Sequence, residues 1–234
     1  MQTRIVLFCF PYAGGSASIY ERWKPFLHSC IDLVPVELAG RGRRVQDQPY
    51  KDLQDAVEDA LRIIRRQVVQ VPYALFGHSL GGIIVYELAQ KIREMGLPRP
   101  CHLFISGQCA PHLRKPDGKL FHQMQDEAFK KEIRELGGTP PEFFEHPELM
   151  ELFLPMLRND FRLAESVTRE DRIRPLNTGI TVFLGKNDRF DRDQCDGWNA
   201  HTERGCQLHY FEGGHFFLHQ QTERMTNIIN SVLN

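Results

Sequence analysis

The chain has 234 residues, 41% of them hydrophobic and 25% charged, with a formal net charge of −1. That is enough for one domain with a sizeable core, and it excludes a disordered composition. The near-zero charge leaves no whole-molecule field to gather nucleic acid or an anionic membrane, and no run approaches the ~18 consecutive apolar residues of a membrane span.

In chain order, "RIVLFCF" (4–10) is the first of several short β-branched and aromatic runs. Its apolar stretch is too short for a signal-peptide core and ends at Pro11, so it reads as a strand, and a cytoplasmic location is expected. "FPYAGGSAS" (10–18) follows, a turn of small residues through which main chain can come close to a ligand. "IDLVPVEL" (31–38) reads as the second strand, with the basic loop "GRGRR" (40–44) just after it. Leu53, Val57, Leu61 and Ile64 form a helical stripe.

"YALFG" (73–77) is the next strand, and Ile84, Leu88 and Ile92 mark a helix closed by Gly96 and Pro98. "HLFIS" (102–106), "ITVFLG" (180–185) and "QLHYF" (207–211) complete the strands. Because these runs are apolar nearly throughout instead of alternating, they suit parallel strands covered by helices on both faces. The expected fold class is α/β: a mostly parallel, doubly wound sheet forming one domain over 1–234.

More than a crossover helix separates "HLFIS" from "ITVFLG", and the extra chain, at about 112–170, is helical in pattern. Leu149, Leu152, Phe153, Met156, Leu157 and Phe161 share a helical face, and Pro155 marks a kink. Two readings remain open: extra packing at the sheet edge, or a lid over the strands' C-terminal ends, where open α/β sheets bind ligands.

The chemistry centres on "LFGHSLGG" (75–82), in which Gly77, Ser79 and Gly81 fit G-x-S-x-G, the nucleophile elbow. A buried strand precedes the serine and a helix follows it, as an elbow requires. The Leu80 N–H then becomes one oxyanion donor, and the Ala13 N–H, with Tyr12 as the neighbouring alternative, becomes the second. A serine hydroxyl needs a base. His215, in "EGGHFFL" just past the last strand, stands where the order Ser…Asp…His puts one; His219 is the second candidate. Asp188, three residues past Gly185, is the candidate acid, with Asp191 and Asp193 close enough to compete. The six cysteines are scattered without a C-x-x-C pair and read as reduced thiols. Histidines and cysteines show no metal-ligand spacing, so no metal or cofactor is expected.

"FPYAGGS", "ELAGRGRR", "FGHSLGG", "FLPMLRNDF", "GKNDRF" and "GGHFFL" run over nearly the whole chain in one order. Together they resemble the type II thioesterases, stand-alone α/β-hydrolases that serve nonribosomal peptide and polyketide synthases. The resemblance implies removal of aberrant or misloaded acyl groups from the 4′-phosphopantetheine arm of carrier domains. It also implies a catalytic Ser79, Asp188 and His215 and tips the insertion toward a lid, whose apolar stripe of Leu152, Phe153, Met156 and Leu157 is the expected surface for the substrate; a monomer is expected. Arg41, Arg43 and Arg44 become candidates for docking the acidic carrier domain, against the plainer reading of a solvated loop. Leu38-Ala39 stands where a proline often precedes the "GRGRR" loop, a departure that alters loop shape and not chemistry. Vertebrate medium-chain fatty-acid-synthase thioesterases look similar. A medium-chain acyl thioesterase, a general carboxylesterase and a non-catalytic hydrolase-fold binding protein are therefore the competing readings.

Overall fold

The computed structural model describes residues 3–67, 71–114, 119–139, 142–167 and 173–234. The apolar runs form six strands: β1 (Ile5–Phe10), β2 (Ile31–Pro35), β3 (Tyr73–His78), β4 (His102–Ser106), β5 (Gly179–Gly185) and β6 (Cys206–Phe211). They lie in the order β2-β1-β3-β4-β5-β6, and every pairing is parallel. Parallel neighbours need crossovers. These are a 3₁₀ helix over Ala17–Phe26, then α1 (Leu53–Gln67) and α2 (Leu80–Glu94). Between β4 and β5 come α3 (Asp126–Leu136), α4 (Glu142–Glu145) and α5 (Pro147–Glu165); α6 (Arg192–Asp196) and α7 (Thr222–Leu233) follow.

Successive strand residues point to opposite faces, and the two faces bury different helices. Phe8, Phe10, Leu75, Leu103 and Ile105 pack with Val57, Leu61 and Ile64 of α1 and Ile84, Leu88 and Ile92 of α2. Leu7, Cys9, Phe76, Phe104 and Phe183 pack on the other side with Tyr20, Trp23 and the α7 residues Met225 and Ile229. This is the doubly wound sheet expected from the runs. All six cysteines are free thiols. No helix among the described residues is long and apolar enough to cross a membrane.

The largest boundary shift is at β2. β2 stops at Pro35 rather than Leu38, because Glu37 turns inward and accepts the Ala17 N–H at 2.9 Å. The 19-residue α5 runs unbroken through Pro155. Of the expected insertion at 112–170, residues 115–118, 140–141 and 168–170 lie outside the described ones. The rest has its own small core, in which Phe129 and Ile133 of α3 meet Met150, Leu154 and Leu157 of α5.

That core corrects the phase assigned to α5. Its buried positions are Met150, Leu154, Leu157, Asp160 and Leu163, whereas Leu149 is exposed and Leu152 is 80% exposed. "ELMELFLPMLRNDF" carries apolar residues on more than one face, so i, i+3, i+4 spacing fits two registers. The register that buries Asp160 is the one adopted.

Candidate active site

β1 and β3 are neighbours in the sheet, yet their chain connections depart toward opposite edges, β1 to β2 and β3 to β4. Such a switch point opens a crevice beyond the strands' C-terminal ends. Two loops meet there, Pro11–Ser16 after β1 and the turn at Ser79 after β3.

Ser79 has φ +53° and ψ −116°, the one non-glycine residue with positive φ among the described residues. A strained residue of this kind persists only where its surroundings hold it. Here the hold is close backbone contact. A Cβ on Gly77 would overlap the carbonyl of Gly81, and one on Gly81 would overlap the carbonyl of Phe10. Only glycine lets β3 turn so sharply into α2 beneath the first loop. Leu80, the first residue of α2, belongs to the turn whose N–H groups lack intrahelical acceptors.

The turn after β1 is equally constrained. The Gly15 N–H donates to the Tyr12 carbonyl at 2.8 Å, closing a four-residue turn around Ala13 and Gly14. Gly14 has φ +78°, the value a type II turn requires at its third position. Ala13 lines the cavity in front of Ser79.

His215 and Asp188 come from the loops after β6 and β5. The His215 Nδ1 donates to Asp188 Oδ2 at 2.9 Å, with the two side chains 8% and 2% exposed. Asp188 Oδ1 also accepts the Arg189 N–H at 2.8 Å. Burial pushes the carboxyl of Asp188 up, but the bonds and positive charge of His215 and Arg189 outweigh it and hold it below the usual value. Ser79 and His215 open onto one cavity of about 660 Å³.

The competing candidates are occupied elsewhere. His219 bonds the Tyr12 hydroxyl at 3.0 Å. Asp191 caps α6, accepting the Gln194 N–H at 2.8 Å, and Asp193 sits exposed in that helix. His78 is fully buried against Ser106, 2.8 Å from its hydroxyl. Burial, and then the nearby His215 and His219, lower its pKa well below the ordinary histidine value, so it is uncharged beside the serine.

Among the lid residues singled out in the sequence, Leu157 reaches the cavity, together with Phe121, Ile133, Leu136 and Phe161. Leu152 faces solvent, and Phe153 and Met156 are partly buried outside the cavity lining.

The three arginines do not form a free basic patch. Arg41 is 5% exposed and paired with Asp160, too deeply buried to meet a partner. Arg44 pairs with Asp59 and Asp47 and donates to the Glu37 carbonyl. Arg43 is exposed and donates to the Pro35 carbonyl at 3.2 Å. Arg41 and Arg44 therefore tie the loop down, and burial corrects the docking expectation for Arg41. Asp160 was missed as a site residue. Its burial follows from the register of α5, which the sequence leaves open.

A parallel sheet with a serine at a strained elbow, and an Asp–His pair beyond two later strands, has the architecture of an α/β-hydrolase. The thioesterase-domain family model matches residues 6–233, and the chain belongs to the thioesterase family. Linear gramicidin dehydrogenase LgrE of Brevibacillus parabrevis is 37% identical, over 99% of this chain and 89% of that protein. Gramicidin S biosynthesis protein GrsT of Aneurinibacillus migulanus is 36% identical, over 95% and 86%. The crystal structure of ClbQ from the colibactin NRPS/PKS pathway superposes with a TM-score of 0.92 at 36% identity, covering 99% of this chain and 97% of that one.

Proposed function

We propose that this thioesterase frees stalled nonribosomal peptide or polyketide synthases by hydrolysing misloaded acyl groups from the phosphopantetheine arms of their carrier domains. Ser79 is the nucleophile. His215 takes its proton, and Asp188 holds the imidazole in the needed tautomer and stabilises its charged form. The N–H groups of Leu80 and Ala13 receive the oxyanion. Collapse of the tetrahedral adduct breaks the C–S bond, His215 passes its proton to the departing thiolate, and the acyl group stays on Ser79. Water, deprotonated by His215, then attacks the ester and releases the acid.

One observation carries this reading: His215, bonded to Asp188, lines the same cavity as Ser79. The names of GrsT and ClbQ place those relatives in gramicidin S biosynthesis and in the colibactin NRPS/PKS pathway. At about 660 Å³, with Leu157, Ile133 and Leu136 on its wall, the cavity suits an acyl chain with its thioester at the sheet. A thiolate leaves readily, so little acid assistance is required at that end.

The test offers acyl-carrier protein, the same acyl-CoA and a matched oxyester to the wild type and to Ser79→Ala. Acyl-carrier protein should show the highest kcat/KM and the oxyester the lowest. Ser79→Ala should remain folded, lose fluorophosphonate labelling and lose roughly 10⁶ in turnover, as measured for another serine hydrolase. Labelling at another residue would move the nucleophile; an oxyester preference would make the protein a carboxylesterase. Preference for medium-chain acyl-CoA over the carrier-bound form would point to fatty-acid synthesis.

A further inference from the structure

Asp160 is 1% exposed in the middle of α5, and a carboxylate so placed is costly unless fully partnered. Arg41 supplies two contacts, Nη1 to Oδ2 at 2.6 Å and Nη2 to Oδ1 at 2.7 Å. An ion pair alone would read as a staple between the lid and the loop after β2. The remaining bonds go elsewhere. Asp160 Oδ2 also accepts the Gly14 N–H at 2.8 Å, and Arg41 Nη1 donates to the Gly15 carbonyl at 3.1 Å. Both members of the pair thus hold the main chain beside Ala13.

We infer that Asp160, held by Arg41, is a positioning residue for the oxyanion hole, fixing the turn that presents the Ala13 N–H. The inference rests on the proposed roles of Ser79 and Ala13. The Gly14 N–H belongs to the central peptide of the turn, between Ala13 and Gly14. Types I and II differ chiefly by a flip of that planar unit. The bond to Asp160 locks the type II orientation and takes the Gly14 N–H out of competition for the oxyanion. The Ala13 N–H shares its peptide plane with the Tyr12 carbonyl, which the Gly15 N–H anchors. Releasing the central peptide therefore loosens the plane that carries the donor.

Packing acts in the same direction. A Cβ on Gly14 would lie 2.6 Å from Leu157 Cδ1 and 3.0 Å from Phe153 Cζ, so α5 rests directly on the turn. The section of α5 from Phe153 to Asp160 is thereby part of the catalytic framework. Lifting α5 would break the Asp160–Gly14 bond.

Two full-length variants test this: Asp160→Asn, and Arg41→Met combined with Asp160→Leu, which replaces the buried pair by apolar groups. Each is compared with wild type for kcat, KM and melting temperature. Inhibition by an acyl trifluoromethyl ketone reports on the oxyanion hole, and binding of a non-hydrolysable thioether reports on the ground state. Active sites are counted by fluorophosphonate titration. Both variants should lose about 10- to 100-fold in kcat, less than the 10²–10³ that deleting an oxyanion donor costs. KM and thioether binding should hold within about twofold, and ketone inhibition should weaken in step with kcat. A lower melting temperature with unchanged kcat per active site would make the pair structural and overturn the inference. Failure of both variants to fold would overturn it equally. Turnover surviving in Ser79→Ala would instead bring down the nucleophile assignment.

Discussion

On the sheet side of the cavity, Ser79, Asp188 and His215 each stand within four residues of a strand end. Continuous parallel pairing fixes those ends. On the lid side, α3 and α5 meet over a small cluster of their own, and side-chain bonds strap the segments together. Arg158 donates to the His122 and Met124 carbonyls at 2.7 Å, and Glu165 accepts the Phe121 N–H at 2.9 Å. The first arrangement places its side chains through the backbone geometry of paired strands. The second depends on which side chain stands at each position. Chemistry is therefore expected to be insensitive to most lid substitutions, and substrate choice and stability to respond strongly to them. The section of α5 from Phe153 to Asp160, which rests on the sheet-side loop, is the exception, and Asp160 is bonded to that loop.

The sharpest way to break that comparison is at the acid. Asp188→Asn keeps the shape of the side chain but presents the wrong partner to the His215 Nδ1. It should cost on the order of 10⁴ in kcat with the fold retained. Asp191→Asn should leave kcat near wild type, since Asp191 serves α6 through its cap. Asp193→Asn should do likewise. Steady-state rates for the three variants decide the matter. A larger loss in either of the last two would move the acid.

The lid side is tested by a pair on one helix. Leu157→Ala empties a buried, cavity-lining position and should cost about 2–5 kcal/mol of stability. It should also shift the acyl-length profile of kcat/KM. Leu152→Ala, at a position 80% exposed, should stay within about 0.5 kcal/mol and leave that profile alone. Denaturant melts and a substrate series separate the two. Equal effects would restore the single apolar stripe that the sequence suggests.

That stripe shows where legibility ended. The strained turn at Ser79 and the meeting of Asp188 with His215 each follow from a local signal: glycines flanking a serine, or a polar residue just past an apolar run. The sheet was readable because parallel strands are apolar on both faces. The phase of α5 was not. Its sequence fits two registers, and the choice rests on Arg41, 119 residues away in the chain. Arg41 misled for the same reason, since an arginine in "GRGRR" reads as surface until its buried partner is known. Local pattern encodes elements and their ends; long-range pairing of polar groups lies outside it.

The smallest expected effect is a pH dependence, and it isolates the Asp188–His215 bond from the rest of the molecule. The folded-state pKa of Asp188 lies below the ordinary aspartate value. At acid pH the unfolded chain therefore binds the proton at this site more readily than the native protein does, and stability rises with pH there. The contribution is fully present above the unfolded aspartate pKa, about 3.9, and is lost as pH falls through the lower folded value. Asparagine does not titrate in this range, and the other carboxylates are common to both proteins. The quantity to follow is the difference in unfolding free energy between wild type and Asp188→Asn at acid pH. It should change below about pH 4, with wild type losing stability relative to the variant. Urea melts at closely spaced acid pH values measure it. A difference that stays constant down to pH 3, or moves in favour of wild type, would show that His215 does not hold Asp188 as a carboxylate.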